Sequence, residues 1–112
     1  MPENPPSAGW REAAPVFAAL GDGTRLDLVA RLCGGEPLSI TQLSAGAAVT
    51  RQAITKHLHV LEEAGLVRGA RRGREQRWEL DPQKLDLARR CLEQIGREWE
   101  SALGRLKDYV ER

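Results

Sequence analysis

The chain has 112 residues, a mass of 12.4 kDa and a formal net charge of +1. Its 41% hydrophobic and 29% charged residues are ordinary for a soluble globular protein. No apolar run approaches the ~20 residues that a membrane-spanning helix needs, so no such helix is predicted. The N-terminus has no basic region followed by an apolar segment, so we find no secretion signal and expect a cytoplasmic protein. A domain of this size buries about two-thirds of its unfolded surface, and a partner subunit would add stability.

Positive charge is concentrated in the middle of the chain. Residues 50–77 hold seven Lys/Arg and three Asp/Glu, a net charge of +4, whereas residues 1–49 carry −2 and residues 78–112 carry −1. Such an asymmetry suits either a solvated basic face or a site for a polyanion, and charge alone does not decide between them.

The N-terminal residues predict an arm followed by a helix. Residues 1–9 contain three prolines, a serine and a glycine, so we expect a flexible arm, with the folded domain over residues 10–112. Apolar residues recur at helical spacing from Trp10 to Leu20. Pro15 is best tolerated in a first turn, so the helix is expected to start later than this pattern suggests.

A second helix is predicted from Thr24, as its N-cap, to about Cys33. Gly34 and Gly35 then provide a natural C-terminal stop. The helix should turn a core-facing stripe inward, made of Leu26, Leu28, Val29 and Leu32.

The next segment predicts a helix-turn-helix. After a short strand or extended lead-in at Leu38 and Ile40, Thr41 is expected to cap a short helix. Thr50 caps a helix of about four turns that ends at Gly65, a residue suited to the left-handed conformation. Its inward face should consist of Ala53, Ile54, Leu58 and Leu61.

A β-hairpin and a long helix complete the chain. A strand begins at Leu66, residues 71–74 form a basic bend, and residues 76–80 alternate as a returning strand. Asp81 and Pro82 mark the start of a last helix that runs to about Val110. Its apolar seam of about 25 residues is too long to bury against so small a domain, so we expect a second copy of the chain on it. The predicted dimer interface comprises Trp10, Phe17, Leu92, Ile95, Trp99, Leu103, Leu106 and Tyr109.

The helix from Thr50 separates a polar outer arc from its apolar face. Arginine can make a paired contact to guanine and glutamine to adenine, and threonine can reach a base or a phosphate. Any exposed helix carries such residues, but their place between a short helix and an arginine-rich hairpin favours a DNA-reading role. The candidate residues are Thr50, Arg51, Gln52, Thr55, Lys56 and His59.

The hairpin supplies arginines that suit phosphate binding. Arginine contacts to phosphates give salt-dependent affinity for a wing that lies along the DNA backbone or minor groove. The candidates are Arg68, Arg71, Arg72, Arg74 and Arg77, of which Arg72 and Arg74 are the strongest. Arg71 and Arg77 can instead pair with acidic side chains of their own subunit.

Metal and catalytic sites are not predicted. His57 and His59 are about 200° apart on a helix and cannot chelate one ion, and His57 is expected to be half-buried. No serine has a nucleophile context and no glycine-rich phosphate loop follows a strand, so we expect no enzyme and no cofactor. Cys33 and Cys91 are read as two reduced, partly buried thiols.

The segments TRQAITKHLHVLEEAGLV, RRGREQRWEL and VFAALGDGTRLDLVARL together resemble the ArsR/SmtB family of bacterial winged-helix repressors. The similarity covers about residues 14–110. It implies a mostly α fold with a small β-hairpin, a winged helix-turn-helix that dimerises through its first and last helices. Metal-sensing members place a Cys-x-Cys pair where this chain has ITQLSA, or histidine and acidic ligands on the last helix, so the resemblance is to a non-metal branch.

The resemblance implies a sequence-specific regulator that binds an inverted-repeat operator in double-stranded DNA as a homodimer, with an unknown effector. Two alternatives stay open. One is a winged-helix module that contacts protein and not DNA. The other is a repressor gated by thiol oxidation, because some members sense oxidants through cysteines on the elements that hold Cys33 and Cys91.

Overall fold

The structure, a computed structural model, describes residues 7–111, with side chains from Trp10 onward. These residues form five helices and three strands, namely α1 (Ser7–Leu20), α2 (Gly23–Leu32), β1 (Leu38–Ser39), α3 (Ile40–Ser44), α4 (Arg51–Glu63), β2 (Val67–Arg72), β3 (Glu75–Leu80) and α5 (Pro82–Val110). The fold is mostly helical with a small antiparallel sheet, as predicted. Among the described residues, no helix is both long enough and apolar enough to cross a membrane.

The first helix differs from its prediction at its start. α1 begins at Ser7 rather than near Trp10, and Pro15 lies in its interior rather than in its first turn. An internal proline removes one backbone hydrogen bond and costs about 3 kcal/mol. Burial of Ala13, Val16 and Ala19 around it offsets that cost. Residues 1–6 of the expected flexible arm lie outside the described residues.

Two helix caps each lie two residues before the predicted ones. The N-cap of α2 is Asp22 instead of Thr24, and its carboxylate accepts a hydrogen bond from the backbone N–H of Arg25. The N-cap of α3 is Ser39 instead of Thr41, and Gln42 completes a capping box with it. In both places the last residue before the helix has an extended backbone, and its side chain accepts a hydrogen bond from a backbone N–H of the first helical turn.

The core is assembled mainly from α1, α2 and α4, and α3 adds one residue. Its largest fully buried side chains include Leu32 from α2 and Leu43 from α3. The predicted inward face of α4 is confirmed for Ile54, Leu58 and Leu61. The prediction that Leu26 of α2 faces the core is wrong, since this residue is 50% exposed.

The hairpin of β2 and β3 belongs to a three-stranded sheet with strand order β1-β3-β2. The prediction anticipated the hairpin but not its pairing with the short strand, where Leu38 lies opposite Trp78. Gly73, at φ 63°, makes the tip, a left-handed conformation that favours glycine. Trp78 is 2% exposed and anchors the hairpin on the core.

The last helix extends far beyond the domain it starts from. Asp81 caps α5, Pro82 occupies its first turn, and its 29 residues span about 43 Å at 1.5 Å per residue. It packs along α1. Of its side chains, Ala88 and Cys91 are buried, and both lie in its first half. The molecule is therefore elongated, with extents of 66 × 29 × 21 Å.

Candidate nucleic-acid interface

The start of α4 is held by its predicted cap. The hydroxyl oxygen of Thr50 accepts a hydrogen bond from the backbone N–H of Ala53 at 3.1 Å. That bond uses an oxygen lone pair, so the hydroxyl proton stays free to be donated elsewhere. The unpaired N–H groups of this first turn also favour a negative charge in front of the helix.

Opposite its buried face, α4 presents polar side chains to solvent. Arg51, Gln52 and Lys56 are exposed, and Thr55 is half-buried. With Ile40 of α3, these four residues line a shallow depression of about 610 Å³. The Thr55 hydroxyl donates to the carbonyl oxygen of Arg51 at 3.0 Å, so it has only acceptor capacity left for a ligand. The structure thus brings four of the predicted residues together around one concave surface.

The two histidines of α4 have different surroundings. His59 is exposed, and its ring stands edge-on to that of Trp78 with centroids 5.8 Å apart. This contact places His59 beside the hairpin, one helical turn after Thr55 on the same side of α4. His57 is half-buried, as predicted, with 23% of its side chain exposed. Its partner is the Arg25 guanidinium, whose Nη1 lies 3.1 Å from the ring Nδ1.

Ion pairs divide the hairpin arginines into two groups. Arg68 Nε donates to the Glu79 carboxylate at 2.9 Å, and its guanidinium also lies 3.7 Å from Asp81. Arg77 Nε donates to the Glu75 carboxylate at 2.8 Å, one of the two pairings that the sequence left open. Both pairs reduce the net charge that these arginines offer to a polyanion.

The remaining hairpin arginines keep their charge available. Arg71, Arg72 and Arg74 are exposed and form no ion pair with any side chain in residues 10–111. Arg72 and Arg74 flank Gly73 at the tip. Strand alternation puts Arg71 on the sheet face that carries Trp78 and Arg72 on the opposite one. The uncompensated charge is therefore concentrated at the tip of the hairpin and on both of its faces.

The long apolar seam is largely uncovered in the single chain. On α5, the exposed fraction is 56% for Leu92 and 64% for Trp99. Further predicted seam residues that are exposed are Ile95, Leu103, Leu106 and Tyr109. Trp10 and Phe17 are more engaged within the chain, since the Trp10 indole N–H donates to the Gln94 side chain at 3.4 Å and Phe17 packs against the core.

The cysteines and acidic side chains of the described residues form no cluster that would suggest a metal site. Cys33 is exposed, contrary to its predicted partial burial, and Cys91 is buried. Among the described residues, no three His, Cys, Asp or Glu side chains are grouped for a metal ion. Asp22 has its pKa lowered, chiefly because its carboxylate accepts from the Arg25 backbone N–H.

A short helix and a capped second helix, followed by a basic hairpin that packs on them, define a winged helix-turn-helix, a DNA-binding fold. A helix-turn-helix domain family matches residues 20–70. The chain is 37% identical over 94 residues, 84% of each protein, to the HTH-type transcriptional regulator Rv2034 of Mycobacterium tuberculosis. An ArsR-like transcriptional regulator from Rhodococcus sp. RHA1 superposes with a TM-score of 0.74 at 40% identity, over 88% of this chain and 92% of that one.

The chain therefore belongs to the ArsR family of transcriptional regulators. A homodimeric winged helix-turn-helix DNA-binding domain from Mycobacterium bovis, Mb0332, shares the fold with a TM-score of 0.62 at 22% identity, over 88% of this chain and 89% of that one.

Proposed function

We propose that this regulator is a repressor that binds an inverted-repeat operator as a homodimer. The observation that carries the proposal is the division of α4 into a buried apolar face and an exposed polar one around the depression at its N-terminal half. Side chains at that end of a helix are the ones that reach base edges in the major groove. Arg51, Gln52, Thr55 and Lys56 are assigned to the bases.

Phosphate contacts supply the affinity. Arg71, Arg72 and Arg74 carry uncompensated charge and are assigned to the DNA backbone, whereas Arg68 and Arg77 contribute less because of their own ion pairs. Two further residues of this helix are assigned to phosphates on either side of the base-reading residues. They are Thr50, which has a free hydroxyl proton, and His59, which lies beside the hairpin. Three free arginines in each of two subunits predict a slope of log K against log salt of about −5, at roughly −0.9 per phosphate.

The dimer places two copies of α4 on the DNA. The exposed apolar stripe on α5 supports a second copy of this chain as its cover, with Trp10 and Phe17 of α1 at the edge of the contact. The homodimeric state of the Mycobacterium bovis domain supports the same assembly. A two-fold dimer reads two half-sites about one DNA turn, roughly 34 Å, apart.

The division of labour is tested with a duplex selected from a random DNA pool by the wild-type protein. Arg72→Ala should weaken binding to selected and random duplexes alike and reduce the salt slope by about one unit per contact removed. Gln52→Ala should leave the salt slope unchanged and relax the preference at one base position, a loss of about 1–3 kcal/mol. Fluorescence anisotropy at several salt concentrations measures both.

Arg105→Ala is the matched control, because it removes the same charge from α5, outside the proposed DNA surface, where Arg105 bonds to Ser101. An equal loss of specificity from the Arg72 and Gln52 variants would contradict the assignment. A wild-type protein without salt-sensitive DNA binding would instead favour a winged-helix module that contacts protein. Repression itself is tested by transcription from a promoter that overlaps the selected sequence, which should fall when the protein is added.

A further inference from the structure

Arg25 contacts three residues from different parts of the fold, none of which is assigned to DNA. Its Nε donates to the carbonyl oxygen of Ala19, in the last turn of α1, at 2.5 Å. Its Nη1 lies 3.1 Å from the ring Nδ1 of His57 on α4. Its backbone N–H donates to the carboxylate of Asp22, the cap of α2. One side chain on α2 thus connects the end of the first helix to the helix assigned to DNA reading.

The contact with His57 has a defined direction. A guanidinium can only donate, so Nη1 of Arg25 is the donor and the ring Nδ1 is the acceptor. The Asp22 carboxylate lies 3.9 Å from the same Nδ1 and faces it from the α1–α2 corner. Hydrogen bonds from a charged donor are stronger and more directional than neutral ones, and this one is part-buried.

This contact constrains α4 in a way that its apolar contacts do not. Leu58 and Leu61 hold the helix against the core through burial, which is nondirectional and tolerates a small rotation. His57 directly follows Lys56 on the helix, and a directional bond to its ring limits rotation of α4 about its axis. The other acceptor, Ala19, belongs to α1, which packs along α5.

We propose that Arg25 is a positioning residue for DNA recognition, which acts through His57 to fix the orientation of α4 relative to α1 and the dimer seam. The inference rests on the proposed function, because orientation matters only when two copies of α4 must match two half-sites. It assigns to the α1–α2 corner a part in sequence choice without any DNA contact of its own.

The experiment uses the full-length protein, the selected duplex and a random duplex of equal length. His57→Leu removes the acceptor, whereas His57→Asn keeps one near the Nδ1 position. Arg25→Lys keeps the charge but replaces the fork by a single ammonium that cannot hold both acceptors. His57→Leu and Arg25→Lys should each weaken selected binding about tenfold, the scale of one paired base contact, with random-duplex binding within about twofold.

His57→Asn should restore binding to near the wild-type value, and the double variant Arg25→Lys/His57→Leu should be no weaker than the poorer single variant. Arg11→Lys is the matched control, because it makes the same exchange at a residue that is exposed on α1 and makes no hydrogen bond or ion pair with any side chain in residues 10–111. If Arg25→Lys does not fold, the two His57 variants decide the question alone.

Several results would overturn the inference. These are additive losses in the double variant, equal losses on both duplexes, and a His57→Asn protein as weak as His57→Leu. A wild-type protein that does not prefer the selected duplex would overturn the proposed function as well, whereas a wild-type preference unaffected by these variants would overturn only the role of Arg25.

Discussion

Replacement of Trp99 by alanine is the sharpest perturbation of the proposed dimer. Trp99 lies in the half of α5 that projects past the domain, and 64% of it is exposed in the single chain. A tryptophan offers up to about 250 Å², so a partner subunit can cover about 160 Å² of it. At about 25 cal/mol per Å², this burial stabilises the dimer by about 4 kcal/mol per subunit.

Trp99→Ala retains a small part of that contact, so the loss is about 3 kcal/mol per subunit. Both subunits carry the change in a two-fold dimer, which gives an upper limit of about 6 kcal/mol, or four orders of magnitude in the dimer Kd. Incomplete burial lowers this value, and we expect the dimer Kd to rise at least about 100-fold. The stability of the separated subunit should be unchanged, since this side chain contributes little to its core.

Sedimentation equilibrium over a range of protein concentrations measures the dimer Kd directly. Arg97→Ala is the control, because Arg97 is exposed two residues before Trp99 and points about 160° away from it around the helix. A wild-type protein that sediments as a monomer at micromolar concentration would refute the covered seam. So would a Trp99→Ala dimer as tight as the wild type, since another face would then hold the subunits together.

Three further measurements check the fold. Ser39→Ala removes the capping box of α3 and should cost about 1 kcal/mol, lowering Tm by about 4 °C in a thermal melt followed by circular dichroism. The pKa of Asp22 is lowered mainly by the backbone N–H of Arg25, so the ionised carboxylate stabilises the fold above about pH 4 and this stabilisation is lost as the pH falls further. The Tm of Asp22→Asn should therefore fall less than the wild-type Tm when the pH is lowered below about 4. Brief iodoacetamide treatment should alkylate exposed Cys33 and spare Cys91, so mass spectrometry should find one adduct; rapid double labelling would contradict the packing of α5 on α1.

The sequence predicted α4 and the hairpin of β2 and β3 because their signals are local. Thr50 and Gly65 mark the two ends of one amphipathic segment. In the structure Thr50 is the N-cap of α4, and Gly65, at φ 81°, follows its C-terminal end. The basic bend likewise contains the glycine that its turn requires. Elements of this kind are predictable because residues only a few positions apart determine them.

Features that depend on residues distant in sequence were missed. β1 has only two residues, too few for an alternation of apolar and polar side chains that would predict its pairing with β3, some 40 positions later. The pairing of Arg68 with Glu79 depends on the strand register, which the pattern of the hairpin did not fix. Pro15 is tolerated inside α1 because its neighbours are buried, and burial is a property of the assembled fold.

The candidate site shows the same limit. Arg51, Gln52 and Lys56 could be chosen because helical periodicity places them opposite the apolar face. Arg25 could not be chosen in this way, because its contact with His57 spans 32 positions of the chain. Among the hairpin arginines, only the observed ion pairs separate those with free charge from those without.

The place of Ser39 has a consequence for the kind of DNA this regulator accepts. It ends β1 opposite Arg77 and caps α3 through its side chain, so the sheet continues into the helix-turn-helix with no linker between them. Because β1 and α3 adjoin directly, we expect the base of the hairpin and α3 to move together as one rigid unit. Adjustment to a narrow or wide groove therefore falls on the duplex. Base steps that the protein never touches should then matter through their stiffness, which favours sequences already bent or narrowed to fit.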